Sequence, residues 1–295
     1  MNALPTPAPP AAPASSTSAG SAELASSEAS SDASNGASGS GVDKSRLAVR
    51  AMFSDIARTY DVLNHGLSLN LDRRWRRRAV TLLGPRAGQL ILDGCCGTGD
   101  LSLEIARQCP ASRVVGSDFA LPMLRLAQLK ARPQQVLQVL GEPSMPSIPF
   151  VAGDGLRLPF ASSSFEAVAI AFGVRNFEDT EAGLIEAARV LKPGGKLLVL
   201  EFVRPDSILV RRFFQGFNAL LAPLGRAISG HPSAYKYLPQ SVGGFCTRRE
   251  LALLLSGCGL GNVRAFSFSG GVSTAFLATK PAAKSAAKIT EEAAP

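Results

Sequence analysis

The chain has 295 residues and a formal net charge of +8, a length that suits one or two domains. Residues 1–41 are almost all Ala, Ser, Pro and Gly, with three acids and no Lys or Arg; they lack core-forming runs and the basic, apolar start of a secretory signal, so a disordered tail is expected. No run approaches the ~18 apolar residues of a membrane span, and five cysteines without C-x2-4-C spacing argue against a disulfide framework or a zinc site.

Removing the three tail acids leaves the rest of the chain at +11. That excess suits nucleic acid, an anionic bilayer or an anionic substrate, and charge alone does not choose. In chain order, the first charged feature is R-R-W-R-R-R at 73–78, read as a solvated helix face or a contact for anionic lipid. From residue 88, short apolar runs alternate with helical patterns. Strands are expected at 90–95, 113–117, 150–152, 167–172 and 196–202, with helices at 100–108, 120–130 and 180–191. This alternation predicts βαβ units in an α/β fold with a doubly wound, mostly parallel sheet. Four prolines over 133–149 predict a surface insertion. The apolar, aromatic segment 208–224 carries two arginines; it suits a core helix, a lid over a substrate tail, or an interfacial helix. A helix follows, with Thr247 as N-cap and Glu250 completing a capping box. Runs at 263–268 and 274–279, joined at Gly270-Gly271, predict a closing antiparallel hairpin and bring the strand count to seven. Residues 281–295 read as a second tail.

The string D-G-C-C-G-T-G-D at 93–100 follows an apolar strand and opens a helix. Such a turn lets the backbone approach a ligand near the free N–H groups of a helix start. No Gly-Lys-Ser/Thr follows, which excludes a P-loop, and G-x-x-G-x-G is not the dinucleotide fingerprint. With Asp93 in front, the string fits D-x-x-x-G-x-G, typical of S-adenosylmethionine-dependent methyltransferases. Asp118 ends the second strand, 19 positions beyond Gly99, where a carboxylate can accept both ribose hydroxyls; the bland alternative is a cap on the next helix. These features leave NAD open. Asp154, at the end of the third strand and before an apolar pair, can accept from an adenine amino group. The adjacent cysteines read as small buried hydrophobes.

Outside the cofactor half, M-F-S-D-I-A-R-T-Y-D-V-L-N-H-G-L-S-L-N-L-D-R-R-W-R-R-R is similar to the opening of the quinone-biosynthetic C-methyltransferases. A-F-G-V-R-N-F (171–177), L-L-V-L-E-F, A-Y-K-Y-L-P-Q-S-V-G-G-F (234–245) and the closing S-G-G-V-S-T continue the resemblance, which spans roughly residues 46 to 280. The chain departs from the family's pattern at Gly94, at Asp154-Gly155 and at Gly230-His231-Pro232. The resemblance implies a class I methyltransferase domain over 42–280, with a substrate lid over 205–245. It implies C-methylation of a reduced polyprenyl quinone precursor with S-adenosylmethionine as donor, demethylmenaquinol first and a polyprenyl-benzoquinol as the alternative. No metal is implied.

For cofactor binding the expected residues are Asp93, Gly97, Thr98, Gly99, Asp118, Asp154 and Gly155. Candidates for catalysis are Tyr60, Asn64, His65, Arg175, Asn176, Tyr235 and Tyr237, with no general base singled out. Arg175 does not readily lose its proton, so polarising a phenolate suits it better; His65 has a suitable pKa but sits in an ordinary turn motif. Another lipophilic acceptor and a basic RNA-binding protein are the competing readings, the latter lacking an RNA-methylation motif after the fourth strand. A cytoplasmic protein touching the membrane peripherally is expected. Nucleic acid is not an expected partner, and homo-oligomerisation is left open.

Overall fold

The computed structural model describes residues 45–139, 147–204 and 232–282. The 1–41 tail, segment 208–224, most of the 205–245 lid, the middle of the 133–149 insertion and residues 283–295 lie outside the described residues. Seven strands form one sheet in the order β3-β2-β1-β4-β5-β7-β6. They are β1 (Leu90–Gly94), β2 (Arg113–Asp118), β3 (Phe150–Ala152), β4 (Phe165–Ala171), β5 (Leu191–Glu201), β6 (Gly261–Phe268) and β7 (Ser273–Thr279). Strands β1 to β5 pair in parallel, and β7 runs antiparallel to both β5 and β6. The doubly wound sheet and its closing hairpin therefore match the sequence pattern.

Alternation along the central strands explains why both faces are covered. Ile91 and Leu92 are both fully buried, in separate apolar clusters; so are Leu197 and Val199 against Leu198 and Leu200. A strand apolar on both faces belongs inside a parallel sheet. Helices α2 (Leu71–Leu83) and α3 (Asp100–Gln108) supply Trp75, Leu83, Leu101 and Ile105 to one face. Helix α5 (Thr180–Val190) and a C-terminal helix, α7 (Arg248–Gly257), supply Leu184, Leu251 and Leu255 to the other. Each such side chain contributes about 1.5–3 kcal/mol by leaving water.

Helix α2 resolves the arginine run. Its buried residues, Asp72, Trp75, Arg76, Ala79, Val80 and Leu83, recur at helical spacing. Arg73, Arg74, Arg77 and Arg78 are exposed, so only these four form the solvated face expected of 73–78. Trp75 reaches across to donate from Nε1 to Ser269 Oγ at 2.9 Å, tying α2 to the hairpin turn. The other α-helices among the described residues are α1 (Arg46–Leu67), α4 (Leu121–Val139) and α6 (Pro232–Gly243).

Two expectations need correction. Helix α4 was expected to end near 130, yet it continues to Val139 and carries Pro133. A proline removes one intrahelical bond, but its fixed φ is helix-compatible, so the prolines of 133–149 do not all mark loop. The fifth strand begins at Leu191 rather than 196, because the chain pairs with β4 at Phe165, skips, and resumes at Ala167. Thr247 caps α7 with the reciprocal Glu250 bond, as the sequence predicts.

Gly183 on α5 lies against Phe177; a Cβ there would fall 2.3 Å from the ring. Gly183→Ala should therefore lower stability by about 1–3 kcal/mol, read as a lower urea midpoint, despite alanine's better helix propensity.

Candidate functional site

Strand order reverses between β1 and β4, and their C-terminal ends open into a crevice, the usual ligand position in such sheets. A cleft of ≈ 680 Å³, counted to its open mouth, lies there. The chain leaves β1 at Cys95 (φ 56°) and β4 at Phe172 (φ 59°), two non-glycine residues held in the left-handed region. Such conformations cost about 1–3 kcal/mol each and persist where the surroundings over-determine them. Gly173 is required beside them, since a Cβ there would come 2.6 Å from the Cys95 Cβ.

One wall of the cleft is the glycine turn and the end of β2. Among the described residues, Gly97 (φ 53°) has only Tyr60, at 3.9 Å, near the position of a Cβ. Asp118 is buried, and each of its oxygens accepts one backbone N–H at 2.9 Å, Oδ2 from Gly97 and Oδ1 from Ala120. Burial raises its pKa against these bonds. Phe119, Met123, Gly153, Asp154, Gly155 and Leu156 continue this wall. Asp154 Oδ1 accepts from Leu156 N at 2.9 Å, which shapes its turn. Opposite stand Phe172, Gly173, Asn176, Phe177 and Glu178, and α1 closes over the cleft with Val49, Phe53 and Tyr60. The spacing 49, 53, 60 places these three on one face of α1.

Of the expected cofactor residues, Gly97, Asp118, Asp154 and Gly155 line the cleft, whereas Asp93, Thr98 and Gly99 stand behind it. Asp93 Oδ2 accepts from Ser102 at 2.6 Å, its Oδ1 has no partner among the described residues, and burial pushes its pKa up to about 7. The Thr98 hydroxyl is turned from the cleft: it donates to Asp61 Oδ1 at 2.6 Å and accepts from Lys130 Nζ at 2.8 Å. Gly99 packs against Ala127 and Phe150. The Cys95 and Cys96 thiols are pushed well above their ordinary range by burial and nearby carboxylates, so they stay protonated; Cys95 nevertheless lines the cleft.

Of the expected catalytic residues, Tyr60 and Asn176 line the cleft. Burial raises the Tyr60 pKa, against the opposing pull of Arg175 and Arg76 and a bond with Asn64. Arg175 sits one layer back, buried, with Nη1 donating to Glu201 Oε1 at 2.7 Å and to Phe172 O at 2.6 Å. Tyr237 reaches Asn176; the Tyr235 side chain lies outside the described residues. His65 is not brought to the cleft. Its Nδ1 lies 2.8 Å from Asp72 Oδ2 and its Nε2 3.6 Å from Asp100 Oδ2, in a network that also includes Arg76. Asp61, His65 and Asp100 sit close enough to suggest a cation site, but the Lys130 ammonium already bridges Asp61 and Asp100 at 2.6 and 2.7 Å. Sequence reasoning missed this latch between α1 and the glycine turn. It also missed Glu201, whose only signal was an acid in an apolar strand, and the cleft wall built by α1.

Sequence comparison accords with this geometry. The profile of the ubiE/COQ5 methyltransferase family matches residues 40–280. A demethylmenaquinone methyltransferase of Thermus thermophilus is 42% identical over 234 residues, 78% of this chain and all of that protein. One of Deinococcus radiodurans is 43% identical, covering 75% of this chain and 88% of its own length. A ubiquinone/menaquinone biosynthesis C-methyltransferase UbiE of Geobacter sp. strain M21 is 40% identical over 79% and 96%. Among solved structures, a SAM-dependent methyltransferase of Thermotoga maritima, described as a possible histamine N-methyltransferase, superposes with TM-score 0.52 at 18% identity. It covers 78% of this chain and all of that one, and it shares the fold. The sheet order, the crevice at its switch point and the match across 241 of 295 residues lead to one statement: the chain belongs to the ubiE/COQ5 methyltransferase family.

Proposed function

We propose that the chain methylates a ring carbon of a reduced polyprenyl quinone precursor, taking the methyl group from S-adenosylmethionine and converting demethylmenaquinol to menaquinol. The family match over 40–280, together with relatives named for that reaction, carries this reading. Methylation of a polyprenyl-benzoquinol is the second reading, favoured by relatives whose names include ubiquinone.

The cleft fits the donor. After accepting the Gly97, Ala120 and Phe119 N–H groups, the Asp118 carboxylate, with about four lone-pair sites, keeps acceptor capacity for a ribose hydroxyl. A side chain at Gly97 would project into the cleft beside Tyr60, so the turn leaves room for a ligand. Asp154 and Gly155, with Leu156 and Phe177 nearby, suit the adenine end. When bound, S-adenosylmethionine supplies an electrophilic methyl on a sulfonium. Phe53, Phe172 and Phe177 line the cleft, and an apolar wall strengthens the electrostatics within a site once a ligand displaces its water. The buried Arg175 guanidinium pulls the Tyr60 and Tyr237 pKa values down, with Glu201 opposing it at Tyr237, and the same pull favours ionisation of an acceptor hydroxyl at this end of the cleft. Tyr60, held protonated by burial, is a donor at neutral pH rather than a base.

The acceptor is a lipid, and among the described residues no helix is long and apolar enough to cross a membrane. The exposed arginines at 73, 74, 77 and 78 offer an anionic bilayer a contact face, at roughly 1 kcal/mol per residue near the surface.

Assay with S-adenosylmethionine and both demethylated quinones, each reduced and oxidised, is expected to show turnover of a reduced form only. Neither quinol reacting would refute the reading. Raising salt should slow turnover of acceptor held in anionic vesicles but not of a short-tailed soluble analogue; equal slowing would remove the membrane role. Asp118→Ala should weaken donor affinity about 10- to 150-fold, the loss of charge-assisted bonds of about 1.5–3 kcal/mol, measured by calorimetry.

The Asp93 carboxyl offers a pH test. Its folded pKa, about 7, lies above the ordinary 3.8, so the native state holds a proton there that the unfolded chain releases. The resulting stabilisation is present below about pH 4 and is lost as pH rises to about 7, on the order of 4 kcal/mol. Asp93→Asn should therefore match the native chain near pH 4 and exceed it at pH 7 in urea unfolding. Parallel pH profiles would contradict the shift.

A further inference from the structure

Tyr237 lies on α6, none of whose described side chains lines the cleft. Its hydroxyl donates to Asn176 Oδ1 at 2.9 Å. Asn176 Nδ2 in turn donates to the Phe172 carbonyl at 3.2 Å. That carbonyl can only accept, so the amide atom facing it must be nitrogen, and the oxygen must face Tyr237. Burial raises the Tyr237 pKa, which keeps the phenol a donor at neutral pH. Both partners therefore select the same orientation of the carboxamide. A carboxamide carries two N–H groups, and the second has no partner among the described residues, on a side chain that lines the cleft.

We propose that Tyr237 is a positioning residue for methyl transfer, locking the Asn176 carboxamide so that its free N–H is offered to a ring oxygen of the acceptor. The inference rests on the proposed quinol chemistry and adds to it the coupling of α6 to the acceptor's oxygen. Nearby packing keeps the arrangement stiff. The Tyr237 ring meets Phe53 of α1 edge-on at 6.4 Å, and the turn carrying Asn176 is fixed by Arg175, whose backbone N–H donates to Glu201 Oε2 at 3.1 Å. An N–H aimed at an oxygen that gains negative charge as the ring is activated lowers the barrier more than it tightens binding. Loss of the tyrosine hydroxyl frees the amide to rotate and misplaces that donor.

The test is a double-mutant cycle on the full chain with the quinol that it turns over. Tyr237→Phe keeps the ring and its contact with Phe53. It should lower kcat by about 10- to 100-fold, with donor affinity and Tm close to the native values. In the Tyr237→Phe/Asn176→Ala double variant, kcat should be no lower than in Asn176→Ala alone, because the hydroxyl acts through the amide. A Tyr237→Phe variant with native kcat, or losses that multiply in the double variant, would overturn the role. Should Tyr237→Phe fold poorly, a fluorinated tyrosine at 237 gives a second readout. Its more acidic hydroxyl stops donating as pH rises, so kcat should fall at a lower pH than in the native enzyme; an unmoved pH profile would overturn the role. Failure of the native chain to methylate any quinol removes the proposed function and this inference together, whereas native turnover with an unaffected Tyr237→Phe removes only the inference.

Discussion

The reversal of strand order between β1 and β4 is the constraint on which the site depends. Connections from the two strands leave toward opposite sides, so nothing in the sheet covers the ends at Gly94 and Ala171. The chain must turn sharply at both places, and it does so through left-handed Cys95 and Phe172. Neither is glycine, so the strain has to be held by what surrounds it. The Phe172 N–H donates to Leu200 O at 2.7 Å, and the Cys96 N–H donates to Ser117 O at 3.0 Å. The two turns touch through Gly173, where no side chain fits. The cleft is thus a product of sheet topology, with one turn on each side of it.

Buried charge organises both sides. Glu201 is fully buried and accepts from Arg175 and from two backbone N–H groups, those of Arg175 and Phe202. Burying such a pair costs desolvation, which its mutual attraction and the backbone N–H groups offset. It fixes the Arg175 guanidinium behind Phe172, whose carbonyl accepts from Nη1. On the other side, Asp61 joins α1 to Thr98 of the glycine turn and to Lys130 of α4. Because α1 also supplies Val49, Phe53 and Tyr60 to the cleft, this latch ties the roof of the site to the loop beneath it.

Much of the scaffold was legible in the chain. Strands apolar on both faces, helices of matching length and the Thr247–Glu250 capping box are local patterns whose physics acts over a few residues. The glycine turn, Asp118 and Asp154 were legible for the same reason: each stands at or just past the end of a strand whose neighbours are set by the alternation. The helix through Pro133 was missed because a proline's cost is small against the rest of a helix held by packing. The arginine run was only half understood, since Arg76 is drawn inward by Asp72, four residues back on the same helix, and by Asp100, which becomes its partner only once α2 and α3 meet.

By itself, then, the sequence determined the α/β sheet, its order of elements, two acids that line the cleft, Asp118 and Asp154, and the resemblance that points to quinone chemistry. Those properties follow from periodicity, turn residues and motif strings, which are written contiguously. Tertiary structure decided which residues share a cavity. It drew His65 and Thr98 away from the cleft, set Arg175 against Glu201, and brought Tyr237 to Asn176 across 61 positions. Such assignments depend on contacts between distant segments and on where water is excluded, and no local pattern encodes either.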